Sequence, residues 1–243
     1  MNSFIKQALA TVVGILFFII ITGALGAMSL VGMVASSQAT KNVDDNSVLV
    51  LNLSGAMDER TQGNLLSMLG GSTTDNPGLE NTLQAIKKAR TNDHIKGIYI
   101  EAGLFSSDFA SMQELRKALV DFRKSGKWIV AYADTYTQGT YYIASAANKV
   151  YLNPQGQVDW HGIASEPIFV KDLLAKFGVR MQVVKVGKYK SATEMFTEDH
   201  MSEANREQVQ AYINGLWQNV CQGVAESRHI SVAQLNAYAD SLM

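Results

Sequence analysis

One cysteine, three prolines and four histidines in 243 residues set the first limits on this chain. With Cys221 alone, no intrachain disulfide can form. Cys221 sits in a helical apolar pattern, the setting of a core packer rather than a nucleophile. The scattered histidines offer no spacing that would hold a metal, and no cofactor is expected. No glycine-rich phosphate loop follows a strand, so nucleotide binding is unsupported. Lys and Arg total 21 against 22 Asp and Glu, with no basic cluster and no aromatic–basic interleaving. Nucleic acid is therefore not an expected partner.

Charge is also missing between Lys6 and Lys41. Within that gap, Ala8 to Val34 is long enough to cross a bilayer as a helix, which takes about 20 apolar residues. Its glycines (Gly14, Gly23, Gly26, Gly32) are better tolerated in lipid than in water. Ser37-Gln38-Ala39 is a passable cleavage site for a secretory signal peptide. The stretch exceeds the usual signal core, which favours an uncleaved anchor. Lys6 and the terminal amine precede the span, while Asp44 and Asp45 offset Lys41. The positive-inside tendency then keeps the N-terminus cytoplasmic and the folded part outside the cytoplasmic membrane. The expected divisions are a membrane anchor over 1–35, a polar linker over 36–47 and a folded half-domain over 48–243.

In that folded part, apolar runs alternate with helical patterns. Val48–Leu53, Ile95–Glu101 and Trp128–Tyr132 read as buried strands. Leu79, Leu83 and Ile86 recur at helical spacing, as do Met112, Leu115, Leu119 and Phe122, with Gly126 closing the second helix. Gly70–Gly78 has turn chemistry throughout. Strand alternating with helix implies an α/β fold of β-α-β units on a parallel sheet. Further on, the pattern predicts a turn at Asn153–Gly156, a helix from Pro167 to Phe177, and a strand over Val179–Val186. A long helix from Ser202 to about Arg228 follows, then a short one opened by the capping box Ser231-Val232-Ala233-Gln234. The chain stops at Met243 inside or just after that helix, which suits a fragment or a product cut between two repeats, and no second copy of a motif occurs within it.

The most informative stretch is Val186-Gly187-Lys188-Tyr189-Lys190-Ser191-Ala192. Two solvated loop lysines are the bland reading, since lysine is rarely buried. A lysine acts as a general base only when neutral, and bringing one from about 10.4 to a working pH takes roughly 4 kcal/mol of desolvation or like-charge repulsion. Upstream, Gly139-Thr140-Tyr141-Tyr142 and the small run Ala144–Ala147 open a closely packed helix, followed by Val158-Asp159-Trp160-His161-Gly162. In this order, these segments resemble the signal peptide peptidase A (protease IV) family, over nearly the whole chain and closest to the amino-terminal half of its long, two-repeat form.

That resemblance implies a crotonase-like (Clp-protease-like) β-α-β superhelical domain and Ser–Lys peptidase chemistry. It makes Lys190 the general base that takes a serine's proton as the serine attacks the scissile carbonyl. Aligning the tyrosines places Gln138 where short-form members carry the nucleophilic serine, and glutamine cannot form an acyl-enzyme. The resemblance therefore implies a serine from a second repeat or another subunit, an oligomeric ring, and signal peptides as substrates. Catalytic members use a glycine pair as the oxyanion site. Here Gly103 is followed by Leu104, and Gly103 is expected at a strand-to-loop turn.

Ser191 either orients the Lys190 amine or is a small residue in a tight turn; on an extended segment it would face away from its neighbour. Ser145, Ser165, Tyr141 and Tyr142 read as structural, and no acid at a useful spacing makes His161 a triad member. The alternative to an enzyme half is a membrane-anchored scaffold subunit with a degenerate site, supported by Gln138. Acyl-CoA chemistry, also found on crotonase-like folds, fits worst, because fold does not fix function and the domain would lie away from the coenzyme pool.

Overall fold

A computed structural model describes residues 2–37, 43–60 and 78–241. Most of the Gly70–Gly78 loop and the middle of the expected linker fall outside them. The chain divides into two compact units, Met1–Asp44 and Asp45–Met243. The first is helix α1 (Asn2–Ser37), in which Ser3–Ser29 is long and apolar enough to cross a membrane. A signal sequence passes the same test of length and composition.

The second unit is built on four parallel strands in the order β1-β2-β3-β4: β1 (Ser47–Ala56), β2 (Ile95–Ser106), β3 (Trp128–Tyr136) and β4 (Lys149–Val158). Helices α2 (Leu79–Thr91), α3 (Phe109–Arg123) and α4 (Gln138–Ala144) connect them in turn. The fold is thus a parallel α/β sheet. Strand alternation sends Leu51, Leu53, Ile98, Ile100, Ile129, Ala131 and Ala133 into the core, where Ile86, Leu115, Leu119, Phe122 and Ile143 meet them. The helical stripes at Leu79–Ile86 and Met112–Phe122 lie where their spacing put them, and Asp108 caps α3 by accepting from Ser111 N.

Two expected turns are absorbed into strands as bulges. Leu152 pairs with Ala133 and Gln157 with Thr135, so Asn153–Gly156 bulges out opposite Asp134 inside β4 instead of ending a strand. A Cβ on Gly156 would lie 2.1 Å from the Asp134 carbonyl oxygen, which only glycine avoids. Similarly, β2 runs through Gly103 to Ser106, and Gly103 and Leu104 sit where its register against β1 shifts. Gly103 therefore belongs to a bulge within paired strands and not to a strand-to-loop turn.

Beyond β4 come α5 (Lys171–Lys176), α6 (Glu194–Thr197), α7 (Glu203–Arg228) and α8 (Val232–Ser241). Ser202 caps α7 by accepting from Asn205 N, and Ser231 caps α8 by accepting from Gln234 N at 3.1 Å. Only the later part of α7 is buried, through Val220, Cys221 and Val224. The buried Arg116 of α3 fastens it there, donating to Gly223 O, to Ser227 Oγ at 2.6 Å and to Tyr142 O at 3.1 Å. Trp160 locks α8 by donating to Leu235 O at 2.9 Å, with Tyr141 and Trp217 packed on its ring.

The expected helix from Pro167 to Phe177 shrinks to Lys171–Lys176, ended at Gly178 with φ +73°. The expected strand Val179–Val186 is not a strand. No backbone–backbone hydrogen bond involves residues 180–186 among the described residues. Val184 is 99% and Val186 84% open to solvent, while Val183 is half-buried. The β-branched pattern is present, but a strand exists only through a neighbour that takes up its N–H and C=O groups.

Candidate active site

The site expected from sequence falls on two structures: the start of α4 and the turn that carries Lys190. Thr137 caps α4, its hydroxyl accepting from Thr140 N at 3.3 Å, and Gln138 is the first helical residue. The Gln138 amide is spent on the chain after β4. Its Oε1 accepts from His161 N at 3.2 Å and Gly162 N at 2.9 Å, and its Nε2 donates to Gly162 O at 3.1 Å. Gly162 has φ +85°, a conformation glycine adopts freely. Gln138 is thus an amide clip that holds a loop.

The two lysines of the motif differ. Lys188 Nζ lies 3.3 Å from Glu207 Oε2 and 3.2 Å from Tyr189 Oη, and Tyr189 also donates to Glu207 at 3.0 Å. The bonds to Tyr189 and Glu207 hold Lys188 above the ordinary lysine range, so it is a fixed ammonium. Lys190 is exposed, and among the described residues no ion pair or side-chain hydrogen bond engages it. No hydrogen bond joins Lys190 to Gln138. Ser191 is half-buried, and its carbonyl accepts from Glu194 N at 2.9 Å, which makes it part of a tight turn.

The remaining candidates are structural. Ser145 is fully buried and its hydroxyl donates to Tyr142 O at 2.7 Å, while Ser165 is exposed. Tyr142 packs under Arg116 and Tyr141 against Tyr136 and Trp160. His161 Nε2 lies 3.5 Å from Asp159 Oδ2 in a solvent-exposed pair. Burial pushes the Cys221 thiol up to about 11, leaving an inert core sulfur. No group of three or more His, Cys, Asp or Glu residues that could hold a metal occurs among the described residues.

Sequence reasoning placed Glu194 in the continuation of the motif but gave it no role; it lies four residues past Lys190 and is only 3% exposed. Ser202 Oγ donates to it at 2.7 Å, Asn205 Nδ2 at 2.9 Å and Ser202 N at 3.2 Å. Burial pushes this carboxyl up, but the hydrogen bonds from Ser202 and Asn205 outweigh it and hold Glu194 below the usual glutamate range. Its stabilising effect is complete above that range and fades as acid protonates the carboxylate. A glutamate set eight residues before a serine cap was the available signal.

Next to Glu194, Thr193 Oγ1 is buried without a hydrogen-bond partner among the described residues. Thr193→Val keeps the shape and removes the orphaned hydroxyl, so it is expected to stabilise the folded chain by about 1 kcal/mol. Thermal unfolding of the two proteins checks this, and a lower midpoint for the valine variant contradicts it. Between α5 and α6, Lys171, Ala175, Val179, Met181, Phe196 and Thr197 line an open cleft of about 510 Å³.

Comparison with known proteins agrees with the motif. The chain is 36% identical over 241 residues to Protease 4 of Salmonella typhi, covering 96% of this chain and 38% of that protein. It is 33% identical to Protease 4 of Haemophilus influenzae, over 83% of this chain and 34% of that protein. The chloroplastic serine protease SPPA of Arabidopsis thaliana is 26% identical over 77% of this chain and 26% of its own length. The chain thus spans little more than a third of the Protease 4 relatives it matches. Among solved structures it is similar to an enoyl-CoA hydratase from Shewanella pealeana, at 11% identity and a TM-score of 0.33 over 82% of this chain and 80% of that one, too slight a likeness to argue from. The model of peptidase family S49 matches residues 121–242, just over half of the chain and the part that holds α4, the Lys190 turn and α7. The chain belongs to peptidase family S49.

Proposed function

We propose that this chain is the base-bearing half of a membrane-anchored serine peptidase that works by a Ser–Lys dyad and degrades cleaved signal peptides. Lys190 takes the proton of a serine supplied by a second repeat or an adjoining subunit. The serine oxygen bonds to the scissile carbonyl carbon, the amine leaves with a proton, and water releases the acyl group. One observation carries this reading: Lys190 stands exposed, without an ion pair or side-chain hydrogen bond among the described residues, at the end of an arm that lacks backbone pairing. The arm's β-forming backbone is unbonded over residues 180–186, and Val184, Val186 and Tyr212 are exposed. Contact with a second half would pair that backbone and take water from the lysine.

The cleft, where Ala175, Val179, Met181 and Phe196 stand beside Lys171 and Arg180, and the sheet edge at β4 suit an extended peptide. Ser3–Ser29 would anchor the chain in the cytoplasmic membrane with its folded unit on the outer side, and copies would assemble into a ring. Gln138 favours a second reading, because an amide clip at the nucleophile's position also fits a scaffold subunit without chemistry.

A fluorophosphonate probe separates the two. The isolated chain is expected to remain unlabelled, and its complex with the matching carboxy-terminal half is expected to label on that half. Labelling of the isolated chain overturns the split dyad. A complex that takes no label supports the scaffold.

A further inference from the structure

We propose that Glu194 is the positioning residue of the base-bearing turn: its buried carboxylate, held by Ser202 and Asn205, fixes Lys190 and Ser191 against the first turn of α7. This rests on the reading of Lys190 as the base. On its N-terminal side, Lys190 is approached by a segment without backbone hydrogen bonds over residues 180–186. The Lys188 and Tyr189 side chains reach Glu207 in exposed bonds, while the nearest backbone hydrogen bonds lie on the C-terminal side.

There the connections are continuous. Glu194 N donates to Ser191 O at 2.9 Å, closing the turn, and Glu198 N donates to Glu194 O at 2.8 Å. Val170 N donates to Met195 O at 2.7 Å, tying the same stretch to the start of α5. The Glu194 carboxylate then accepts three hydrogen bonds from Ser202 and Asn205. Those residues are the cap and first turn of α7, a 26-residue helix whose far half is fixed in the core by Val220, Cys221, Val224 and Arg116. A helix of that length is a stiff strut. Rigidity therefore passes from the sheet core along α7, through one carboxylate, to the residues beside the base.

Two further features separate this from an ordinary surface cap. Glu194 is the one carboxylate buried among the described residues, and a buried charge persists only where several partners satisfy it. Lys185 Nζ also lies 3.9 Å from Glu194 Oε1, so the same group draws in the strand-like arm that leads to Lys190. Ser202 Oγ donates to Glu194 while accepting from Asn205 N, which fixes this hydroxyl as a structural link.

The test compares Glu194→Ala, Glu194→Asp and Glu194→Gln with the parent. Hydrogen exchange of the full chain is followed at the amides of Glu194, Glu198 and Ser202. Hydrolysis of a fluorogenic apolar peptide is followed in the complex with the carboxy-terminal half. Aspartate is too short to reach both donors, so Asp and Ala are expected to speed exchange at those amides at least tenfold while β2 and β3 stay protected. They are expected to lower kcat roughly 100-fold with KM within about twofold, the signature of a misplaced reacting group. Gln keeps the reach and one acceptor oxygen, and is expected to retain more protection and more kcat than Asp.

Unchanged exchange overturns the proposal, as does faster exchange that spreads to β2 and β3, or a rise in KM at constant kcat. Should Ala not fold, the Asp and Gln variants decide. Full activity of Lys190→Ala would remove the base reading alone, because the exchange result still tests whether Glu194 holds the turn.

Discussion

Alanine at position 190 is expected to lower kcat of the complete two-half peptidase by about 10³–10⁴-fold while leaving KM within a few-fold, the pattern of losing a proton acceptor used only in the transition state. Lys190→Arg is expected to fail nearly as badly, because a guanidinium stays charged at any working pH and cannot accept the serine proton. Lys188→Ala is the internal control. Its ammonium is an exposed partner of Glu207, and such pairs contribute little, so activity is expected to fall less than about threefold. Hydrolysis of an apolar fluorogenic peptide by the three variants, with fluorophosphonate labelling of the serine as a check on assembly, measures the effect. Undiminished turnover in Lys190→Ala sinks the dyad. A large loss in Lys188→Ala moves the base by two residues.

What could be read from the residues follows where the partners of each segment lie. The sheet was legible because β1, β2 and β3 find their neighbours and helices within the chain, so the alternation at Leu51–Leu53 or Ile98–Ile100 reports burial faithfully. The bulges were not, because Asn153-Pro154-Gln155-Gly156 has the composition of a turn whether the chain reverses there or bulges within a strand. Val179–Val186 shows the opposite failure. Its local preference for strand is sound, but the backbone groups that would realise it are not supplied by the described residues, and the segment stays unpaired and largely exposed. Lys190 was singled out by its motif, whereas the burial of Glu194 went unread because it depends on a helix cap eight residues away. Gln138 was singled out by aligning the tyrosines, but the loop it clips could be seen only in three dimensions.

Phe122→Ala is expected to destabilise the folded unit by about 3–5 kcal/mol, the largest stability effect foreseen for a single side chain here. Phe122 closes the apolar stripe of α3, is fully buried, and belongs to the core cluster shared by the sheet, α2, α4 and α7. Removing its ring leaves a void between a helix and a parallel sheet, and both are held by hydrogen bonds that resist collapse into it. For a domain of this size each kcal/mol shifts the midpoint by about 2–4 °C, so thermal unfolding of the full chain in detergent should move down by roughly 6–20 °C. Phe122→Leu keeps most of the volume and is expected to cost less than about 1.5 kcal/mol. The same helix carries Met112, whose Sδ would sit 2.8 Å from a Cβ placed on Gly139, so α3 is also the surface on which the start of α4 rests. Loosening α3 should therefore free the Gln138 clip before the sheet melts. Faster exchange at the His161 and Gly162 amides in Phe122→Leu, with β2 still protected, is the expected sign, and equal exchange in both proteins would separate the clip from the core.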